Sequence, residues 1–134
     1  MTSDRVLETC LYVDDLDAAA AFYSRLFDFE LFAKVPGRHV FFRCGQGMFL
    51  LFNPEATRID SGLGLPTHGA IGPGHAAFVM AETEITVWRQ RLIDQNIPIE
   101  RETTWPSGGF SIYFRDPAGN SIELATPKTW GLDA

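Results

Sequence analysis

The chain has 134 residues and a formal net charge of −6, from 11 Lys plus Arg against 17 Asp plus Glu. That length suits one compact domain or two small fused units, and the acidic balance argues against nonspecific binding to nucleic acid or an anionic membrane surface. No apolar run approaches the roughly 20 residues of a membrane span, the first residues do not read as a signal peptide, and Cys10 and Cys44, without zinc-site spacing, suit reduced thiols in a cytoplasm.

In chain order, residues 6–13 alternate as a strand, with Glu8, Cys10 and Tyr12 on one face. Asp14 or Asp15 then caps a helix whose apolar face is Leu16, Ala19, Ala20, Tyr23, Leu26 and Phe27. Residues 29–34, 38–44 and 48–53 read as short strands, with Gly37 and Gly45-Gln46-Gly47 supplying the turns. The stretch 53–73 is rich in Gly and Pro and has no sustained period, which reads as a connection or a functional loop.

A second strand–helix–strands series follows. Residues 74–80 form a strand with His75, Ala77 and Val79 on one face. A helix opens at Thr83 or Glu84, carries Ile85, Trp88, Leu92 and Ile93 as its stripe, and ends with Asn96 in the left-handed region. Residues 98–103 read as a near-edge strand and 104–108 as a loop holding Trp105, expected to cover the mouth of a pocket.

The stretch 109–124 is a hairpin. Asp116-Pro117-Ala118-Gly119-Asn120 is turn chemistry, and a Gly-closed loop of this length sets the register: Arg115 faces Ser121, Phe114 faces Ile122, and Tyr113 faces Glu123. Ser111, Tyr113, Arg115, Ser121 and Glu123 therefore share one face. Glu123 is unusual in mid-strand. It faces solvent, pairs diagonally with Arg115, or serves in a lined cavity as metal ligand or general base.

The order strand, helix, three strands occurs twice, in modules of about 6–53 and 74–126 within a single domain. Glu8 in the first opening strand corresponds to His75 in the second, and the counterpart of Glu123 falls within one residue of Leu51. Two carboxylates and an imidazole suit one divalent ion such as Mn, Fe, Ni, Zn or Co. Three protein donors would leave coordination positions open for substrate.

These residues carry a family resemblance. Leu11-Tyr12-Val13-Asp14-Asp15-Leu16-Asp17 leading into Ala21-Phe22-Tyr23, then Gly74-His75-Ala76-Ala77-Phe78, then Phe114-Arg115-Asp116-Pro117-Ala118-Gly119-Asn120-Ser121-Ile122-Glu123-Leu124, resemble the vicinal oxygen chelate superfamily, the glyoxalase, bleomycin-resistance and extradiol dioxygenase group. The resemblance implies an α+β fold of two βαβββ modules forming a curved mixed sheet around a central cavity, and a metal held by Glu8, His75 and Glu123. It implies lyase, isomerase, thiol transferase or dioxygenase chemistry on a small oxygen-chelating substrate, with Glu8 and Glu123 as catalytic candidates. Tyr113, Ser111 and Arg115 share the Glu123 face and are candidates to orient the substrate, Tyr113 also as a catalytic residue, and the aromatics Trp105 and Phe41 are candidate substrate contacts. The strand at 48–52 offers no fourth ligand of the glyoxalase I kind. Relatives commonly form homodimers, sometimes with the first-strand ligand coming from the opposite subunit. The alternative is a metal-free protein that sequesters a planar apolar compound between aromatics such as Trp105 and Phe41.

Overall fold

The computed structural model describes residues 1–132. The chain divides into two compact units, Met1–Gly72 and the residues from Pro73 onward. Each contains one four-stranded mixed sheet with a helix, so the protein is α+β.

In the first unit, β1 (Glu8–Tyr12), β2 (Leu31–Val35), β3 (His39–Cys44) and β4 (Gly47–Phe52) lie in the order β1-β4-β3-β2. β1 runs parallel to β4, and the other pairs are antiparallel. Asp15 starts α1 (Leu16–Phe27): its side chain accepts from the Ala18 N–H at 3.0 Å, satisfying one free donor of the first turn. Leu16, Ala19, Tyr23 and Leu26 recur at helical spacing, and all are buried. Tyr23 meets Phe49 edge to face at 4.9 Å, so Phe42, Phe49 and Leu51 pack on the helix side of the sheet. By alternation, Glu8, Cys10 and Tyr12 share the other face with Met48, Leu50, Phe52, Phe41 and His39.

The second unit repeats the plan. β5 (His75–Val79), β6 (Arg101–Thr104), β7 (Phe110–Arg115) and β8 (Ser121–Ala125) lie in the order β5-β8-β7-β6, with β5 parallel to β8. A short 3-10 turn, Glu82–Glu84, leads into α3 (Ile85–Asp94). Asn96 has φ 57°, the left-handed conformation expected of it. Of the expected stripe only Leu92 is buried, and Ile93 is 55% exposed, because the helix is short and presents a narrow face.

Two short elements lie outside the sequence expectations. In the 53–73 connection, Asn53 caps α2 (Pro54–Thr57) by accepting from Glu55 N–H at 3.0 Å. Past β8, Pro127–Trp130 forms a 3-10 turn. Thr129 of that turn presses so closely on Gly109 that a Cβ there would lie 2.3 Å from the Thr129 backbone nitrogen.

Candidate metal centre

The hairpin β7–β8 has the register the turn dictates, with Arg115 opposite Ser121 and Tyr113 opposite Glu123. Its turn is built by side chains. Asp116 Oδ1 accepts from the Ala118 and Asn120 N–H groups, both at 2.9 Å, and Asn120 donates from Nδ2 to Asp116 Oδ2 at 3.0 Å. Gly119 takes φ 88°, a conformation open to glycine. Asn120 also reaches outward: its Oδ1 accepts from Gly74 N–H at 2.6 Å, and Ser121 N–H donates to Gly74 O at 2.9 Å. The turn therefore sets the entry of β5, and with it the position of His75.

His75 and Glu123 come together. The imidazole Nε2 lies 3.2 Å from Glu123 Oε1, and Nδ1 lies 2.9 Å from the Ser121 carbonyl oxygen. A carbonyl only accepts, so Nδ1 carries a proton, and Nε2 turns toward the carboxylate. Nε2 and Oε1 thus face each other as two donors that one cation could share. Ligands about 2.1 Å from one ion stand about 3.0 Å apart at octahedral angles and about 3.4 Å apart at tetrahedral ones. The observed 3.2 Å fits a shared divalent ion.

Glu123 is buried, at 7% exposure. Its other oxygen, Oε2, accepts from the Ser111 hydroxyl at 2.5 Å, and Ser111 Oγ in turn accepts from Trp105 Nε1–H at 2.8 Å. Tyr113 stands beside this pair, its ring 6.4 Å from that of His75. Burial first, and then the negative charge of Glu123, push the Tyr113 phenol above the ordinary tyrosine value, with the Ser111 contact pulling the other way.

Arg115 does not pair with Glu123. Its guanidinium donates to both Glu100 oxygens, at 2.9 and 3.2 Å, and to Gly119 O at 3.0 Å. The diagonal ion pair is thereby set aside, and Arg115 spends three of its donors on its own hairpin and its neighbour.

In the first unit, Glu8 is exposed and makes no hydrogen bond or ion pair among the described residues. Phe41 stacks on His39 at 3.9 Å between ring centres and meets Phe52 at 5.5 Å. Sequence reasoning did not place Tyr12 and His68 together: Tyr12 Oη lies 2.6 Å from His68 Nδ1, and His68 packs edge-on against Phe52 at 4.7 Å. His39 is held below its ordinary value by burial and by the neighbouring Arg38 charge. Burial pushes the Cys10 and Cys44 thiols up, and both are free and half-buried. Among the described residues, no three His, Cys, Asp or Glu side chains gather as a metal centre, and no helix is long and apolar enough to cross a membrane.

Residues 5–124 match the family model described as Glyoxalase/Bleomycin resistance protein/Dioxygenase superfamily. A crystal structure titled lactoylglutathione lyase, from Agrobacterium tumefaciens, is 46% identical over 98% of this chain and all of that one, with a TM-score of 0.94. A glyoxalase/bleomycin resistance protein/dioxygenase from Nocardioides is similar at 23% identity over 94% of this chain and 85% of that one, with a TM-score of 0.72. A mutant fosfomycin resistance protein from Listeria monocytogenes, complexed with Mn(II) and 1S,2S-dihydroxypropylphosphonic acid, is similar at 22% identity over 98% of each chain, with a TM-score of 0.69. The last two likenesses speak to the fold alone. With its paired βαβββ units and the family model spanning both, this chain belongs to the glyoxalase/bleomycin resistance protein/dioxygenase superfamily.

Proposed function

We propose that this protein is a divalent-metal-dependent enzyme acting on a small substrate that chelates through neighbouring oxygens, with one ion per site held by Glu8, His75 and Glu123. The observation that carries this reading is the convergence of His75 Nε2 and Glu123 Oε1 at 3.2 Å, with the far atom of each group already engaged. Such tethering of the non-ligating atoms is how metal ligands are oriented. Manganese, iron, nickel, zinc and cobalt all suit this nitrogen and oxygen donor set. A bound divalent ion supplies Lewis acidity that favours negative charge on a substrate oxygen.

The chain's own residues divide the remaining work. Both Glu123 oxygens are engaged, whereas Glu8 is exposed and unpartnered among the described residues. Of the two carboxylates, Glu8 is therefore the one we assign to leave the ion and take a proton from the substrate. We assign Tyr113, a neutral phenol beside Glu123, the donation of a hydrogen bond to a substrate oxygen. Arg115 supports the hairpin rather than the substrate.

Among the possible reaction classes, the similarity to the Agrobacterium tumefaciens protein favours lyase chemistry, with lactoylglutathione the first substrate to try. The counterpart of Glu123 in β4 is Leu50: β1 residue Cys10 pairs with Leu50 as β5 residue Ala77 pairs with Glu123. That position adds no donor, so three protein ligands remain. We also propose a homodimer in which Glu8 of one chain meets His75 and Glu123 of the other.

The deciding experiment is metal analysis of protein purified without chelator, paired with assay of lactoylglutathione turnover. About one ion per chain in the wild type, lost in Glu123→Ala, supports the enzyme. The aromatic cluster of Phe41, Phe52, His39 and His68 favours a second reading, a metal-free binder of planar compounds. Equal metal content in wild type and Glu123→Ala, with tight binding of a planar aromatic compound, would favour that reading instead.

A further inference from the structure

We propose that Trp105 is a positioning residue of this site, acting through Ser111 to present Glu123 as a one-oxygen donor. The hydrogen-bond relay stands on its own geometry; its consequence for metal binding rests on the reading above.

An indole N–H donates and never accepts. Trp105 Nε1 lies 2.8 Å from Ser111 Oγ, so that hydroxyl oxygen must accept there. Ser111 is fully buried, and its hydroxyl proton goes to Glu123 Oε2 at 2.5 Å. The relay therefore has one direction, from Trp105 through Ser111 to Glu123. A contact this short between a hydroxyl and a carboxylate oxygen is of the charge-assisted kind. With Oε2 occupied, Oε1 is the oxygen turned toward His75 Nε2.

The loop holds Trp105 in place for this. Its backbone N–H donates to Gly109 O at 2.8 Å, and Gly108 N–H donates to Trp105 O at 2.9 Å. Gly109 is fitted against Thr129, leaving no room for a side chain. Ser107 Oγ adds a further bond to Gly109 N–H at 3.3 Å. The half-buried tryptophan thus supports the carboxylate through its N–H and the Ser111 hydroxyl.

The test uses the full chain. In metal-stripped protein, the Trp105 indole N–H resonance is identified among the 3 tryptophans by its loss in Trp105→Phe. Ser111→Ala and Glu123→Gln are each expected to shift that resonance upfield and speed its exchange with solvent. Titration with Mn²⁺ follows, with thermal unfolding recorded for each variant. Trp105→Phe and Ser111→Ala should each weaken Mn²⁺ binding about 10-fold, as loss of a supporting contact does. The double variant should be no weaker than the single ones, because both break one relay. An indole signal unmoved by Ser111→Ala overturns the relay. Unchanged Mn²⁺ affinity in both single variants, or fully additive losses, overturns the positioning role. A wild type that takes up no Mn²⁺ overturns the metal reading and the positioning role with it, while the indole signal still decides the relay.

Discussion

His75 Nε2 stands 3.2 Å from Glu123 Oε1, while Nδ1 of the same ring is 2.9 Å from the Ser121 carbonyl oxygen. In the proposed site both atoms would be donors to one divalent ion, and such donors bind a metal in their deprotonated form. Mn²⁺ affinity should therefore fall as the solution is acidified. His75→Ala and Glu123→Ala should weaken binding by more than the roughly 10–100-fold that loss of an outer contact costs. Calorimetric titration at several pH values checks both, and affinity independent of pH would contradict a shared ion.

Tyr113 should hold its proton into alkaline solution. Burial raises its phenol first, and the Glu123 charge opposite raises it further. A raised value for an acid favours its neutral form, so the phenolate appears only above the ordinary tyrosine range. Tyr12 is raised as well, by burial and by Cys10, so the Tyr113 signal must be isolated by difference from Tyr113→Phe. Glu123→Gln removes the charge and should move the Tyr113 titration downward in ultraviolet absorbance. A titration that stays in place would show that Glu123 carries no charge toward Tyr113.

Gly109→Ala should destabilise the protein by about 1–3 kcal/mol, the usual cost of forcing extra volume into a packed site. The new Cβ would meet the Thr129 backbone at 2.3 Å, which no side-chain rotation relieves. Displacing the Pro127–Trp130 turn or the 105–109 loop is the remaining escape, and the loop carries Trp105. Urea unfolding reads the first effect, and the Trp105 indole resonance reads the second. Wild-type stability with an unmoved indole would mean that the turn yields freely.

The second hairpin was legible because its turn chemistry is local. Asp116, Pro117 and Gly119 determine the loop, and the loop places Tyr113 opposite Glu123. The duplicated order carried the same logic into the first unit, where Leu50 lies one residue from the expected counterpart at Leu51. Contacts made through loops or through neighbouring strands left no periodic trace. The Trp105–Ser111 bond depends on how 105–109 turns, and the Arg115–Glu100 pair on where β6 begins. Likewise, Tyr12 meets His68 across 56 residues of chain, a separation that no local pattern spans. Asn53-Pro54-Glu55 did carry a cap signal for α2, one that the surrounding Gly and Pro obscured.

The dimer proposal can be tested by mixing defects. β1 and β5, which carry Glu8 and His75, are each the outer strand of their sheet. Val79 on β5 is 74% exposed, and Val6 and Leu7, just before β1, are 75% and 61% exposed. Apolar residues on and beside edge strands are surfaces that another chain can cover. If Glu8 of one subunit completes the site of the other, chains with Glu8→Ala and chains with Glu123→Ala each form dimers lacking a full site. Unfolded together and refolded in equal amounts, about half of the dimers are mixed under two-fold assembly. Each mixed dimer has one site with all three ligands and one lacking both carboxylates. Mn²⁺ binding at wild-type affinity should then return to about a quarter of the wild-type number of sites, by the same pairing arithmetic. If each chain completes its own site, every chain in the mixture is defective and no tight binding returns. Sedimentation of the wild type as a monomer would exclude the shared site before any mixing.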